Sequence, residues 1–190
     1  MSSVKKLNNY LEIITNSIKS SNLDSLDLLY KSLDEKFIKG GRIFIAGNGG
    51  SSAIASHAVT DLNKLNNLDF RLNAISLVEN IPLITATSND YGYENLFVEN
   101  IKNHNVNQND ILICISSSGN SLNVINLINY CKDKKMKTFS LLGFDGGKCL
   151  EISDHSILIS TPTGYYGPVE DIHMMIFHIY VHIVKNDIFK

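Results

Sequence analysis

The chain has 190 residues, 44% hydrophobic and 19% charged, with 12 glycines and 3 prolines, a composition that suits one compact globular domain and excludes disordered and fibrous classes. Seventeen Lys and Arg against 19 Asp and Glu give a formal charge of −2, the only arginines are Arg42 and Arg71, and without a basic face nucleic acid is not an expected partner. The cysteines Cys114, Cys131 and Cys149 show no CxxC spacing and no run reaches the roughly 18 apolar residues of a membrane span, so a soluble protein of the reducing cytoplasm, with no membrane partner, is expected.

Residues 4–38 read as two amphipathic helices, with Leu7, Leu11, Ile14 and Ile18 recurring every three to four positions and Asn22 or Asp24 as cap of the second. Gly40 and Gly41 close this helical preface (1–39), and the remainder (40–190) forms the core of the same domain. The apolar run 42–46 is too short for a helix and enters the turn Gly47-Asn48-Gly49-Gly50-Ser51-Ser52. That order is strand, loop, helix. It recurs where Ile111-Leu112-Ile113-Cys114-Ile115 runs into Ser116-Ser117-Ser118-Gly119-Asn120-Ser121 and a helix through Leu122, Ile125, Leu127 and Ile128. Further short apolar runs at 73–78, 138–142 and 156–159, with helical patterns at 82–87 and 93–102, complete an α/β architecture of five parallel strands flanked by helices. A long helix is predicted from Gly167, with Pro168 in its first turn, through Ile172, Met175, Ile176, Ile179 and Ile183 to about Lys185. It is apolar around most of its circumference and must be buried against the sheet, another subunit or both.

In an open parallel sheet, ligands collect outside the carboxyl ends of the strands, where loops offer N–H groups and helices their positive ends. The 116–121 loop supplies four hydroxyls, a glycine that admits close backbone approach and a following helix N-terminus, the parts of a phosphate cradle. The competing role, Ser121 as an N-cap, accounts for one hydroxyl only. The 47–52 loop matches neither the GxGxxG of dinucleotide binders nor the GxxxxGK[ST] of nucleotide-hydrolysing loops. Its Asn48 can bind a sugar hydroxyl or occupy a turn.

His57 and Asp61 stand four apart and share one helix face about 6 Å from each other. Such a pair can reach one divalent cation, or form a salt link or an orienting hydrogen bond. The final helix adds Glu170, Asp171, His173, His178 and His182 among apolar neighbours. His178 and His182 form a second i, i+4 pair, either ligands or two histidines at a helix interface. Glu170 and His178 lie eight apart, about 12 Å along an ideal helix axis, so one ion takes both only with long reach, an opened first turn or sites in different subunits. His104 and His155 read as surface or strand-end residues, the cysteines as core filler. Tyr91, Tyr93, Tyr165 and Tyr166 flank the loops without an assigned role.

Taken in order, Ala46-Gly47-Asn48-Gly49-Gly50-Ser51, His57 with a carboxylate four later, Ser116 to Ser121, and a terminal helix with an acid-isoleucine-histidine run and His178 resemble the sugar isomerase (SIS) fold. Within it, the chain is similar to the phosphoheptose isomerases over nearly its full length. The resemblance implies a three-layer sandwich around a five-stranded parallel sheet, and a cytoplasmic homotetramer with sites at subunit interfaces. It implies conversion of sedoheptulose 7-phosphate to D-glycero-D-manno-heptose 7-phosphate through an enediol, the first step toward heptose for lipopolysaccharide or capsule, with one zinc ion per subunit.

By position, the resemblance assigns the metal to His57, Asp61, Glu170 and His178. It assigns substrate contacts to Asn48, Gly49, Gly50, Ser51, Asp61, Asn89, Asp90, Ser116, Ser117, Ser118, Ser121 and Glu170. Asp61 and His178 would be the acid–base pair. Asp61 stands where well-known members have glutamate, and Glu170 where they have glutamine. The alternatives are an isomerase of a phosphosugar with five or six carbons, or a non-catalytic sugar-phosphate sensor or adapter. An acid–base pair beside the phosphate loop argues against the last.

Overall fold

A computed structural model of the chain describes residues 2–21, 24–65 and 71–188, with side chains as far as Lys185. Two helices come first, α1 (Ser3–Ser20) and α2 (Asp24–Lys39); Asn22, one of the two candidate caps, lies outside the described residues. The core then runs β1 (Arg42–Gly47), α3 (Gly50–Asn63), β2 (Asn73–Ser76), α4 (Ile81–Tyr91), a single 3-10 turn (Tyr93–Asn95), α5 (Leu96–Lys102), β3 (Ile111–Ser116), α6 (Leu122–Asp133), β4 (Lys137–Gly143), α7 (Gly147–Ile152), β5 (His155–Ile159) and α8 (Tyr166–Ile188).

The five strands form one sheet in the order β2-β1-β3-β4-β5, every pair parallel. Because successive side chains leave a strand on opposite faces, Ile43 and Ile45 of β1 enter one core with Leu33, Ile54, Val59 and Phe177, while Phe44 and Ala46 enter another with Leu127, Ile128, Cys131 and Cys149. Three layers result, and the continuous apolar runs are explained: each strand is covered on both faces. The three thiols are buried and free, as expected of core filler, and burial pushes those of Cys131 and Cys149 up to about 12.

Two features fix the site. The strand order reverses between β1 and β3, whose ends align through Gly47 and Ile115, so the glycine loop and the serine loop emerge side by side at the topological switch point. At the other edge the buried Asp110 carboxylate accepts from the Arg42 guanidinium at 2.6 and 3.0 Å and from the Arg42 backbone N–H at 3.0 Å, which sets the relative height of the same two strands. The N-terminal helices brace α8: Tyr10 donates to Asp171 at 2.6 Å, Tyr30 to the Ile176 carbonyl at 2.7 Å, and Tyr180 of α8 to Asp34 at 2.9 Å.

Candidate active site

Asn48, Ser51, Ser116, Ser117, Ser118, Ser121, Tyr166 and Glu170 line a cavity of about 160 Å³ at the carboxyl edge of β1 and β3. The serine loop divides its hydroxyls between two tasks. Ser116 Oγ accepts from the Gly119 N–H at 3.1 Å and Ser118 Oγ from the Asn120 N–H at 3.3 Å, so both help shape the loop. Ser117 Oγ is buried with no partner, and Ser121 occupies the N-cap of α6 without a side-chain capping bond. The N-cap role therefore fails to account even for Ser121, and two hydroxyls are left for an anion. Gly119 is held at φ +61°, and a Cβ there would overlap the Gly146 carbonyl; that contact, with the Cys149 N–H to the Gly119 carbonyl at 2.9 Å, presses α7 against the loop.

On the neighbouring side, α3 opens at Gly50 with no side-chain cap, leaving its first N–H groups and positive end facing the cavity. Six and ten residues after Ser51 along α3 come His57 and Asp61, where α3 packs on α8. His57 Nε2 lies 3.0 Å from His178 Nε2 and 3.2 Å from Asp61 Oδ2; His178 Nε2 lies 3.7 Å from the same oxygen. Three donor atoms thus converge from two helices. Ligand atoms held 2.0–2.1 Å from a tetrahedral ion are about 3.3 Å apart, the middle of this range. Two imidazoles and one carboxylate suit zinc among common divalent ions, and three protein donors is the number that catalytic zinc sites use.

The SIS domain family model matches residues 6–143. The chain is 38% identical over 163 residues to a phosphoheptose isomerase of Helicobacter pylori, an alignment covering 85% of this chain and 81% of that one. The structure of a phosphoheptose isomerase from Francisella tularensis is similar at TM-score 0.81 and 27% identity, over 97% of this chain and 98% of that one. The chain belongs to the SIS-domain phosphoheptose isomerases. A family structure from Neisseria gonorrhoeae shares the fold at TM-score 0.83 and 24% identity, over 96% of each chain.

Against the assignments drawn from the family, the structure brings together Asn48, Ser51, the four serines of the 116–121 loop and Glu170 at the cavity, and His57, Asp61 and His178 beside it. It places two sets elsewhere. Glu170, assigned as a fourth ligand, is not among the converging donors; its carboxylate lies over Gly50, where a Cβ would stand 2.5 Å from Oε2. The helix rise explains the separation, since His178 comes eight residues after Glu170 on α8, about 12 Å along the axis. Asn89 and Asp90, assigned to substrate, are exposed in the last turn of α4, bonded to each other at 3.0 Å, and do not line the cavity. His182 is exposed and outside the donor group. His155 opens β5 against Phe139, and His104 sits edge-on to Phe44.

Sequence reasoning assigned no role to Asn123, Tyr93 or Tyr166. Tyr166 lines the cavity, and Asn123 and Tyr93 both bond Asn48. A larger cleft of about 590 Å³ lies at the amino edge of the sheet among Lys36, Arg42, Arg71 and Asp110. It holds neither the serine loop nor the histidine–carboxylate group, and chemistry rather than size identifies the site.

Proposed function

We propose that the chain interconverts sedoheptulose 7-phosphate and D-glycero-D-manno-heptose 7-phosphate through an enediol, the entry step of heptose synthesis for lipopolysaccharide or capsule. One observation carries this reading: a hydroxyl-lined anion cradle and a histidine–carboxylate group stand at the two ends of one stretch of α3. From Ser51 to His57 is about 9 Å at roughly 1.5 Å per residue. A phosphorylated sugar chain spans that interval with its phosphate in the cradle and its carbonyl end at His57, Asp61 and His178.

Ser117, Ser121 and the open N-terminus of α3 bind the phosphate oxygens without an arginine or lysine. Glu170, over Gly50 and beside Ser51 in the same cavity, accepts hydrogen bonds from sugar hydroxyls; its place over Gly50 supports a substrate role rather than one as an ion ligand. Moving the carbonyl between C1 and C2 takes a proton from one carbon and returns one to its neighbour. Asp61 and His178 form the proton-transferring pair, with Asp61 Oδ2 and His178 Nε2 3.7 Å apart. Asp61 Oδ2 faces both imidazoles, and its second oxygen has no hydrogen-bond partner among the described residues. His57, Asp61 and His178 would hold a zinc ion, whose contribution when bound is Lewis-acid polarisation of the sugar carbonyl.

The same reading gives a cytoplasmic homotetramer. No helix among the described residues is long and apolar enough to cross a membrane, and the free buried thiols suit a reducing compartment. Leu7 and Leu11 on α1 and Ile179 and Ile183 on α8 are exposed, apolar surface suited to burial between copies of the chain.

The deciding experiment is turnover of sedoheptulose 7-phosphate by purified protein, after chelation and again after zinc is restored, with the heptose product identified directly. Activity lost with the metal and recovered with zinc is expected. No product under either condition would refute the reading and turn attention to other phosphosugars.

A further inference from the structure

The cleft of about 590 Å³ at the amino edge of the sheet gathers charge that the catalytic end does not use. Both arginines of the chain line it, with Lys36 and Lys39 from the last turn of α2, against two acids, Glu35 and Asp110. Both acids are already engaged. Asp110 accepts from Arg42, whose guanidinium also donates to the His104 and Asn105 carbonyls. Glu35 pairs with Lys39 at 2.8 Å, and this contact, with smaller contributions from Lys36 and Lys137, holds its carboxyl below the usual carboxylate range. Lys36 and Arg71 remain, neither with an acidic partner among the described residues. Lys36 is half-buried and its stem lies over Gly41, where a Cβ would stand 3.0 Å from its Cδ, so this lysine is seated in the cleft. The negative end of α2 amounts to about half a charge and leaves the local surplus positive, in a chain whose net charge is −2.

We propose that this cleft is a second ligand site, for a small and wholly polar anion of the sugar-phosphate class. Its volume falls within the roughly 300–1,000 Å³ of small-molecule pockets. Two uncompensated cations match a phosphate dianion in charge, and a guanidinium matches its oxygens in geometry. Asn73, Asn107 and Asn109 also line the walls, and their carboxamide N–H groups have no acceptor among the described residues. Amides of this kind suit hydroxyls, which both donate and accept. No aromatic side chain lines the cleft, so a nucleobase would find nothing to stack on. Glu35 and Asp110 are each held by a cation, which leaves no free base, so the ligand is bound there and not converted. The site stands at the opposite edge of the sheet from the histidine–carboxylate group and does not depend on the isomerase reading.

The test follows binding site by site in ¹H–¹⁵N spectra of the full chain, with the Gly40, Gly41 and Asn109 amides reporting the cleft and the Gly119 amide the serine loop. Glucose 6-phosphate is the probe, and glucose and sodium chloride at matched concentration are the controls. A saturable shift of the Gly40 and Gly41 amides is expected with glucose 6-phosphate and with neither control. The double variant Lys36→Gln, Arg71→Gln should weaken that Kd on the order of 100-fold, about 10-fold for each charged hydrogen bond. Gly119 should respond as it does in the native protein, and Tm should not change, since neither side chain is in the core. Absence of a saturable shift at the cleft, an equal shift with sodium chloride, or a double variant that binds as tightly as native protein would overturn the proposal. Turnover of sedoheptulose 7-phosphate is measured on the same samples. Cleft shifts in a protein without turnover would support this site while defeating the isomerase reading, and turnover without cleft shifts would defeat this site alone.

Discussion

Ser117→Ala should make the ligand-free protein more stable and the liganded protein less so. Ser117 is 5% exposed and its Oγ is buried without a hydrogen-bond partner, at a cost of about 1–3 kcal/mol for an unpaired hydroxyl. Alanine removes that oxygen beside a cavity that is already open, so little packing is lost. A gain of about 1 kcal/mol raises Tm by roughly 2–4 °C in a chain of this size. The same hydroxyl, bonded to a phosphate oxygen, is worth about 1.5–3 kcal/mol, so the variant should bind sedoheptulose 7-phosphate about 30-fold more weakly. At a concentration 100 times the native Kd, ligand stabilises the native protein by about 2.7 kcal/mol and the variant by about 0.9 kcal/mol. The order of the two melting temperatures therefore reverses when ligand is added. Thermal unfolding of metal-free protein, with and without the sugar phosphate, measures both halves. A variant that melts below the native protein without ligand, or gains as much from ligand, would refute the reasoning.

Two further outcomes follow from the same geometry. His173 is fully buried on α8, bonded through Nε2 to the Leu142 carbonyl at 3.2 Å, and burial lowers its pKa from 6.5 to about 4; the unfolded chain therefore binds the extra proton between those values. Its stabilising contribution is complete above pH 6.5 and is lost as pH falls toward 4, about 3 kcal/mol in all. Denaturant unfolding of His173→Gln at pH 7 and pH 4.5 should show a correspondingly shallower acid loss, and an unchanged loss would contradict the assignment. Gly50 has no positive φ, so alanine suits its backbone, yet the new Cβ would displace the Glu170 carboxylate 2.5 Å away. Gly50→Ala should raise KM about 10-fold, as loss of one charged hydrogen bond does, with Tm unchanged; an unaltered KM would remove Glu170 from the substrate.

The strands and the two polar loops were legible because their physics is local. Ile111 to Ile115 is covered on both faces and so reads as an unbroken apolar run, and the serine-rich stretch after it carries more hydroxyls than an N-cap can use. The short helix α7 was not anticipated. Six residues cannot sustain a helix in isolation, and Gly147–Ile152 is held by Gly146 in the left-handed region and by bonds to the serine loop, Lys148 N–H to Asn120 Oδ1 at 3.0 Å among them. His57 and Asp61 showed themselves by spacing, but nothing local joins them to His178, 121 residues away; the packing of α3 on α8 does that. Asn123 carried the faintest signal, a polar residue beside Val124 and Leu127 where the period calls for burial. Its partner lies 75 residues earlier, beyond any window of periodicity.

The two departures from the family pattern are resolved by reach. Asp61 is one methylene shorter than the glutamate the resemblance leads one to expect, yet i, i+4 spacing on α3 already brings its Oδ2 within 3.2 Å of His57, and α8 packs closely enough to place His178 at 3.7 Å. The shorter acid therefore still completes a three-donor group. Glu170 would burden that group with a second negative charge if it stood there. Instead it lies over Gly50 at the positive end of α3, where the helix dipole favours an anion. Glu170 thus stands beside that dipole, and a phosphate in the proposed cradle would share the positive end with it. On the proposed function, binding of the phosphate dianion would therefore rest on the neutral donors, Ser117 and Ser121, more heavily than it would beside a glutamine. For that reason the loss at Ser117→Ala belongs at 30-fold, within the charged-hydrogen-bond range, rather than at the few-fold of an ordinary hydroxyl contact.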